Sequence, residues 1–285
     1  MELIYREMPK DYTLIYSSCV HMGAFNHYAD GFAEQIRRLK ERKNYFLANL
    51  GDNIEAKMPH SNHFSGETLT ILKPLEQADE FVERLRPVAK KIVAIGYGNH
   101  EAALINYGNI GKHIAEKLKV PFGSVHYKFC ATDRNGKVMH KLYGHHGYGS
   151  LPKGAKDPIQ REANQKAALR RKLEATGHAD CVAMIMGHTH QLITVKPTTT
   201  QQLFLTDDGR HVKQHYNVMS PQNAEYIPPD SRWYGNAGSL RKSITPTGLQ
   251  IADYAEVAMY APSEMGWLEV HVQRGQVVDM EKVVV

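Results

Sequence analysis

The sequence predicts an α/β fold built on a central sheet. Two observations carry this. Short apolar, β-rich runs alternate with amphipathic helical stretches through the first half of the chain. Five of the apolar runs also end in a polar cluster of His, Asp, Asn or Cys. Strands of an α/β sheet behave this way when their carboxyl ends open on one crevice.

In chain order, Tyr12–Ser17 (YTLIYS) is short, apolar and β-rich, which predicts a buried strand. His27–Lys43 places Phe32, Ile36 and Leu39 at helical spacing with charges between them, so an amphipathic helix follows. Tyr45–Leu50 is a second apolar run and ends in Gly51-Asp52. Glu67–Val88 has a helical pattern that Pro74 should interrupt and Pro87 should stop. Lys91–Gly96 is a third strand, followed by Gly98-Asn99-His100-Glu101, and Asn109–Leu118 reads as helix. Lys137–Gly144 is a strand running into His145-His146-Gly147, and Ile159–Thr176 is a helix. Cys181–Met186 is an apolar strand ending in Gly187-His188-Thr189-His190. Pro197–Asp230 has a weaker pattern and suggests hairpins and loops. Trp267–Val272 and Val277–Val285 around Arg274-Gly275 predict a closing hairpin. No linker-like or repeated segment appears, so the expectation is one domain over 1–285 with a loop or hairpin insertion at about 196–232.

The composition excludes several classes. The 285 residues are 42% hydrophobic and 23% charged, ordinary for a globular chain. Three cysteines, Cys19, Cys130 and Cys181, are too few and too odd for a disulfide framework. The N-terminal MELIYREMPKDY is charged and has no apolar core of a signal peptide. No apolar run approaches the ~20 residues that span a bilayer. A cytoplasmic protein without a membrane partner is expected. A net charge of +5 leans toward anionic partners without establishing nucleic-acid binding.

The five clusters carry the chemistry. They are Cys19-x-His21, Gly51-Asp52, Gly98-Asn99-His100-Glu101, His145-His146-Gly147 and Gly187-His188-Thr189-His190. Imidazole, carboxylate, amide oxygen and thiolate suit Zn, Fe or Mn. Seven candidate ligands exceed the needs of one tetrahedral ion, so two divalent metal ions are the economical expectation. Such a pair can activate a hydroxide and clamp a phosphate oxygen. His145 and His146 compete for one ligand position. The remaining histidines, His140 and His271 among them, read as surface or hydrogen-bonded groups, and Cys130 and Cys181 as core residues.

These blocks, in this order, resemble the calcineurin-like metallophosphoesterase superfamily. Its pattern is D-x-H, G-D-x-x-D/N, G-N-H-D/E, a His often followed by Gly, and G-H-x-H. The chain has Cys19-Val20-His21, Gly51 to Glu55, Gly98 to Glu101, His146-Gly147 and Gly187 to His190. Asn236-Ala237-Gly238-Ser239-Leu240 is similar to the N-P-G-S-L turn that follows in that family. The resemblance spans roughly Thr13 to Leu240. It implies a four-layer sandwich, two central β-sheets flanked by α-helices. It also implies that Cys19, His21, Asp52 and His190 hold one metal, and that Asp52, Asn99, His146 and His188 hold the other, with Asp52 bridging. The His-Gly match favours His146 over His145. Asn99 and His100 would contact the substrate, with His100 as the catalytic acid. Two positions depart from the pattern. Cys19 stands where Asp is usual, as in the lariat RNA debranching enzymes, and its softer thiolate should favour Zn or Fe over Mg. Glu55 closes the second block and reads as peripheral.

The function expected is a metal-dependent phosphoric ester hydrolase using metal-activated hydroxide. A phosphodiesterase on a nucleotide or nucleic acid, a nuclease included, leads. The basic run Arg161, Lys166, Arg170, Arg171, Lys172 and the Cys19 parallel favour it. A phosphomonoesterase is the alternative, and a non-catalytic metal-binding scaffold the rival of another class. Specificity should lie in the loops Ile54–Leu75 and Pro197–Arg232.

Overall fold

The structure, a computed structural model, describes residues 1–58, 66–152, 154–198, 201–218, 221–245 and 254–285. The loop histidines His60 and His63, which the sequence gives no site role, lie outside the described residues, as does part of each predicted specificity loop.

Two six-stranded sheets form the centre. In the first, β2 (Tyr12–Ser17), β3 (Tyr45–Asn49), β4 (Ile92–Gly96) and β5 (Phe122–Ser124) pair in parallel. The closing hairpin, β13 (Gly266–Gln273) and β14 (Gln276–Val284), joins antiparallel at the β2 edge. The second sheet runs β1 (Glu2–Glu7), β6 (His126–Thr132), β7 (Val138–His145), β8 (Ala183–Met186), β12 (Trp233–Ala237) and β9 (Leu192–Val195). A separate two-stranded hairpin, β10 (Gln201–Asp207) with β11 (Val212–Val218), stands off both sheets.

Side-chain alternation sorts the core into layers. On β2, Leu14 and Tyr16 point toward the other sheet. They meet Val93 and Val270 of their own sheet and Phe129, Leu142 and Ile185 of its partner. Ile15 points the opposite way. With Leu47 and Ile95 it packs against Phe32, Ile36 and Leu39 of α1 (Ala29–Glu41), Phe81 and Leu85 of α2 (Pro74–Leu85), and Ile114 of α4 (Ile110–Leu118). The second sheet's outer face, with Tyr143, Met184, Met186 and Tyr234, takes Leu169 and Leu173 of α5 (Pro158–Glu174). The result is helix, sheet, sheet, helix, the mixed α/β architecture expected.

Several elements depart from expectation. Pro74 does not interrupt a helix; it begins α2. A proline in the first turn lacks only an N–H that the helix leaves unpaired there anyway. The strands β1, β5, β6, β9 and β12 add to those that the apolar runs predict.

Candidate metal centre

The five predicted clusters converge. Each follows a strand end: Cys19 and His21 after β2, Asp52 after β3, His146 after β7, His188 and His190 after β8. Asn99 and His100 open α3 (Asn99–Ala102) after β4. Three overlapping groups result: Cys19, His21 and His190; His21, Asp52 and His100; and Asp52, His146 and His188. Within each, the donor atoms lie within 4.8 Å of one another.

The backbone is bent to reach this arrangement. Cys19, His21, Asp52, His188 and His190 all have positive φ, between 51° and 69°. Left-handed backbone is uncommon for residues with a side chain and gathers at functional sites. Loops must also approach closely. A Cβ on Gly98 would collide with the Asp52 carboxylate, and one on Gly187 with Ser18 Oγ.

Hydrogen bonds decide which ring nitrogens face inward. His146 Nδ1 lies 3.0 Å from the Leu50 carbonyl, which can only accept, so Nδ1 carries the proton. Nε2 then presents a lone pair to Asp52 Oδ2 at 3.2 Å and Asn99 Oδ1 at 3.0 Å. Asn99 Oδ1 also lies 2.7 Å from His188 Nδ1. On the other side, His21 Nδ1 donates to Glu55 Oε2 at 2.8 Å, so its Nε2 is bare. That Nε2 faces His190 Nε2 at 3.3 Å. Lone pairs gathered on a point are stable around a cation, either a proton or a metal ion. The donor set therefore fits a pair of divalent ions, one by Cys19, His21 and His190, one by Asn99, His146 and His188, with Asp52 between them.

The electrostatics agree. Burial depresses His21 to about 4, helped by His100, and depresses His190 further, with His21 and Arg241 adding to it. Both imidazoles are thus neutral, the state that binds metal. Burial opposes the Asp52 charge, but His100, His146 and His21 outweigh it and hold the carboxyl well below its usual range. Burial, then Asp52, push the Cys19 thiol up. A cation alongside would reverse that, since coordination deprotonates a thiol.

His100 is placed otherwise. Its backbone N–H donates to Asp52 Oδ1 at 2.9 Å, and its Nδ1 donates to the Glu55 carbonyl at 2.6 Å. Nε2 is left as the nitrogen that can exchange a proton. Burial lowers its affinity for that proton, but Asp52 and Glu55 pull it back above the ordinary histidine value.

The structure brings all eight predicted site residues together and separates His145 from His146. His145 Nδ1 accepts from the Gly147 N–H, and its ring packs on His126 and Tyr143. Glu55 corrects the reading of that position as peripheral: it is buried and bonded to His21. No spacing rule points to this. The Glu55 N–H donates to the Met22 carbonyl, which folds the loop back on the His21 strand end. Glu101 accepts from the N–H groups of Asp52, Asn53 and Gly98 at 3.0, 2.6 and 2.8 Å, so it ties two ligand loops together. The Asn236–Leu240 turn supports the centre from behind. Asn236 Nδ2 donates to Thr189 Oγ1 at 2.6 Å, and Ser239 Oγ and Leu240 N both donate to the Cys19 carbonyl.

Part of the cationic row of α5 is engaged, while Arg171 stays exposed and Arg161 meets the Lys156 carbonyl. Lys166 pairs with Glu162, and Arg170 pairs with Glu174 and Asp230. Lys172 Nζ donates to the Tyr148 and Ser150 carbonyls. Tyr148, 84% exposed, stacks on His188 at the rim. Beside His188 and His190 opens a cavity of about 610 Å³.

No protein-family model matches the chain, and no curated protein does. Among solved structures, a metallophosphoesterase from Sphaerobacter thermophilus aligns at 13% identity and a TM-score of 0.40, covering 95% of this chain and 88% of that one. A hypothetical protein from Thermus thermophilus aligns at 12% identity and 0.43, covering 96% and 98%. GAP50, the anchor in the inner membrane complex of Plasmodium, aligns at 9% identity and 0.35, covering 97% and 90%. Likeness at these identities says nothing of activity. Among the described residues, no helix is long and apolar enough to cross a membrane.

Proposed function

We propose that this chain is a metal-dependent phosphoesterase with a dinuclear centre. The observation that carries the reading is the inward convergence of donor atoms on either side of Asp52, from both sheets. In this reading Cys19, His21, Asp52 and His190 hold one ion, and Asp52, Asn99, His146 and His188 the other. When bound, such a pair supplies Lewis-acid charge to phosphate oxygens and acidifies water. The chain's own residues do the rest. Glu55 fixes the His21 ring by its Nδ1–H, so Nε2 stays aimed inward. The Leu50 carbonyl does the same for His146. His100, tethered through Nδ1, would hand a proton from Nε2 to the leaving oxygen. Asn99, already within reach of His146 and His188, would also contact the phosphate.

Within this reading a phosphodiester is favoured by the cavity beside His188 and His190, which leaves room for a second ester group. A phosphomonoester is favoured by the acidic partners of Lys166 and Arg170, which reduce the charge α5 offers to a long phosphodiester backbone. One domain over 1–285 would carry the activity, with the hairpin region at about 196–232 as an insertion.

The test is hydrolysis of bis-p-nitrophenyl phosphate beside p-nitrophenyl phosphate, with protein reloaded with Mn, Zn or Fe(II). Diester turnover that fails in His100→Ala supports the proposal. Monoester turnover alone moves the assignment to a phosphatase. No turnover despite bound metal moves it to a scaffold.

A further inference from the structure

We propose that Ser18 is a positioning residue for Cys19: its hydroxyl holds the sulfur by a hydrogen bond and sets its strength as a metal donor. The proposal rests on the ligand assignment within the phosphoesterase reading and adds a residue which that assignment lacks.

The backbone of Cys19 is held on both sides. Its N–H donates to the Gly51 carbonyl at 3.0 Å, and its carbonyl accepts from Leu240 N at 3.1 Å and Ser239 Oγ at 3.0 Å. The sulfur therefore has a set place beside His21 and His190.

Two donors reach that place. Ser18 Oγ lies 3.2 Å from Cys19 Sγ. The hydroxyl has one proton and a second acceptor in range, the Gly51 carbonyl at 3.4 Å. That distance is long for an O–H···O bond, which prefers about 2.5–3.0 Å. The Gly51 oxygen also already accepts from the Cys19 N–H. A thiolate has charge and no proton to give, so against it the Ser18 hydroxyl can only donate. The second donor is the His188 backbone N–H, which bonds to the same sulfur. Ser18 follows β2 and His188 follows β8, so the sulfur is gripped from both sheets. Ser18 has little room to turn away. It is fully buried, and a Cβ on Gly187 would lie 2.1 Å from its Oγ.

Hydrogen bonds to a metal-bound thiolate draw charge off the sulfur, and in a buried site they offset the cost of burying that charge. Losing one has two consequences. The buried charge is short of a donor, which weakens metal binding. Electron density returns to the sulfur, which moves its charge-transfer absorption to longer wavelength. Ser17 supplies the control. It too is buried, but its Oγ has no hydrogen-bond partner among the described residues. Ser17→Ala deletes the same atom one residue away and removes no bond to the sulfur.

The test loads the full-length chain with Co(II), whose bond to a thiolate gives a sulfur-to-metal absorption band. Affinity is read beside it by chelator competition. The unmodified protein should show the band and Cys19→Asp should lack it. Ser18→Ala should shift the band to longer wavelength and weaken Co(II) binding about tenfold, the worth of one hydrogen bond to a charged group. Ser17→Ala should leave both unchanged. Ser18→Thr, which keeps the hydroxyl, should keep the band in place; if its added methyl prevents folding, the two alanine variants decide. An unmoved band in folded, Co(II)-loaded Ser18→Ala overturns the proposal. So does an equal shift in Ser17→Ala, which would make the effect one of packing. Bound Co(II) without a thiolate band in the unmodified protein overturns the Cys19 assignment, and the proposal with it. None of these readouts needs turnover, so failure of the hydrolysis assay would count against the phosphoesterase reading and leave the role of Ser18 standing.

Discussion

His146 and His21 show how single side chains are committed before any ion arrives. Each gives one N–H to a fixed acceptor, the Leu50 carbonyl or the Glu55 carboxylate, and turns the other nitrogen inward. Removing such a partner frees the ring to rotate and weakens its basicity. Glu55→Gln should therefore weaken metal affinity by about 10- to 100-fold at the Cys19 side, measured by chelator competition. Unchanged affinity would show that Glu55 is structural only. Cys19→Asp should shift metal preference from Zn toward Mn, because a hard carboxylate replaces a soft thiolate. If Cys19→Ala leaves metal content unchanged, the thiol is no ligand. His100→Ala should keep both metals and lose about 10²- to 10⁴-fold in kcat, the usual worth of a general acid. At this scale the convergence of these side chains was legible because strand-end motifs recur in recognisable spacing. Glu55 was not, because its role depends on how the chain turns after Asp52, where Ala56 also takes a positive φ.

At the scale of elements, the loops rather than the strands need explanation. Glu101 sits in the first turn of α3 with no exposure to solvent, and four backbone N–H groups from two loops, those of Asp52, Asn53, Ile54 and Gly98, converge on its carboxylate. Burial and Asp52 raise its pKa, so the donors are needed to keep it in place. Glu101→Ala would orphan these donors, and each unsatisfied buried group costs about 1–3 kcal/mol. The expected loss is therefore several kcal/mol, read as a lower denaturant midpoint. A loss below about 1 kcal/mol would mean that water or a shifted loop satisfies the donors. Periodicity exposed β2, β3, β4, β8 and the closing hairpin because they are apolar and bounded by turn residues. It did not pick out β12, which has a glycine, Gly235, at its centre. In the structure that glycine lets the sheets approach, since a Cβ there would lie 2.5 Å from Leu268 Cδ1 of the opposing sheet and would force that side chain to shift. It also misplaced Pro74, which reads as a helix breaker and serves as a helix start. The charges of α5 were legible as charges, but their partners Asp230 and the Tyr148 carbonyl come from distant segments.

At the scale of the whole molecule, the centre draws on both sheets. Asp52, His21 and Asn99 come from the first, and His146, His188 and His190 from the second. A bound pair of ions would clamp the two, so saturating metal should raise the melting temperature by mass action on the folded state. The sheets are also joined elsewhere. Buried His140 of β7 contacts the Tyr12 hydroxyl of β2 through Nε2 at 2.7 Å and the Gly275 carbonyl through Nδ1 at 3.0 Å. Burial lowers its pKa from 6.5 to about 4. The folded state thus binds fewer protons than the unfolded state between those values. Its contribution is present above pH 6.5 and is lost as pH falls toward 4, roughly 3 kcal/mol at about 1.4 kcal/mol per unit. Denaturant midpoints of metal-free protein should fall across that window. In His140→Phe the slope should be smaller by about one proton, roughly 1.4 kcal/mol per pH unit. An unchanged slope would remove His140 as its source.

In the proposed function Asp52 stands between two metal sites. The most direct measurement is metal content per chain, by elemental analysis after reconstitution and removal of free ion. The account predicts two ions for the unmodified chain, two for His100→Ala, and none retained by Asp52→Ala. Full metal content in folded Asp52→Ala, or no bound ion in the unmodified chain, would contradict it.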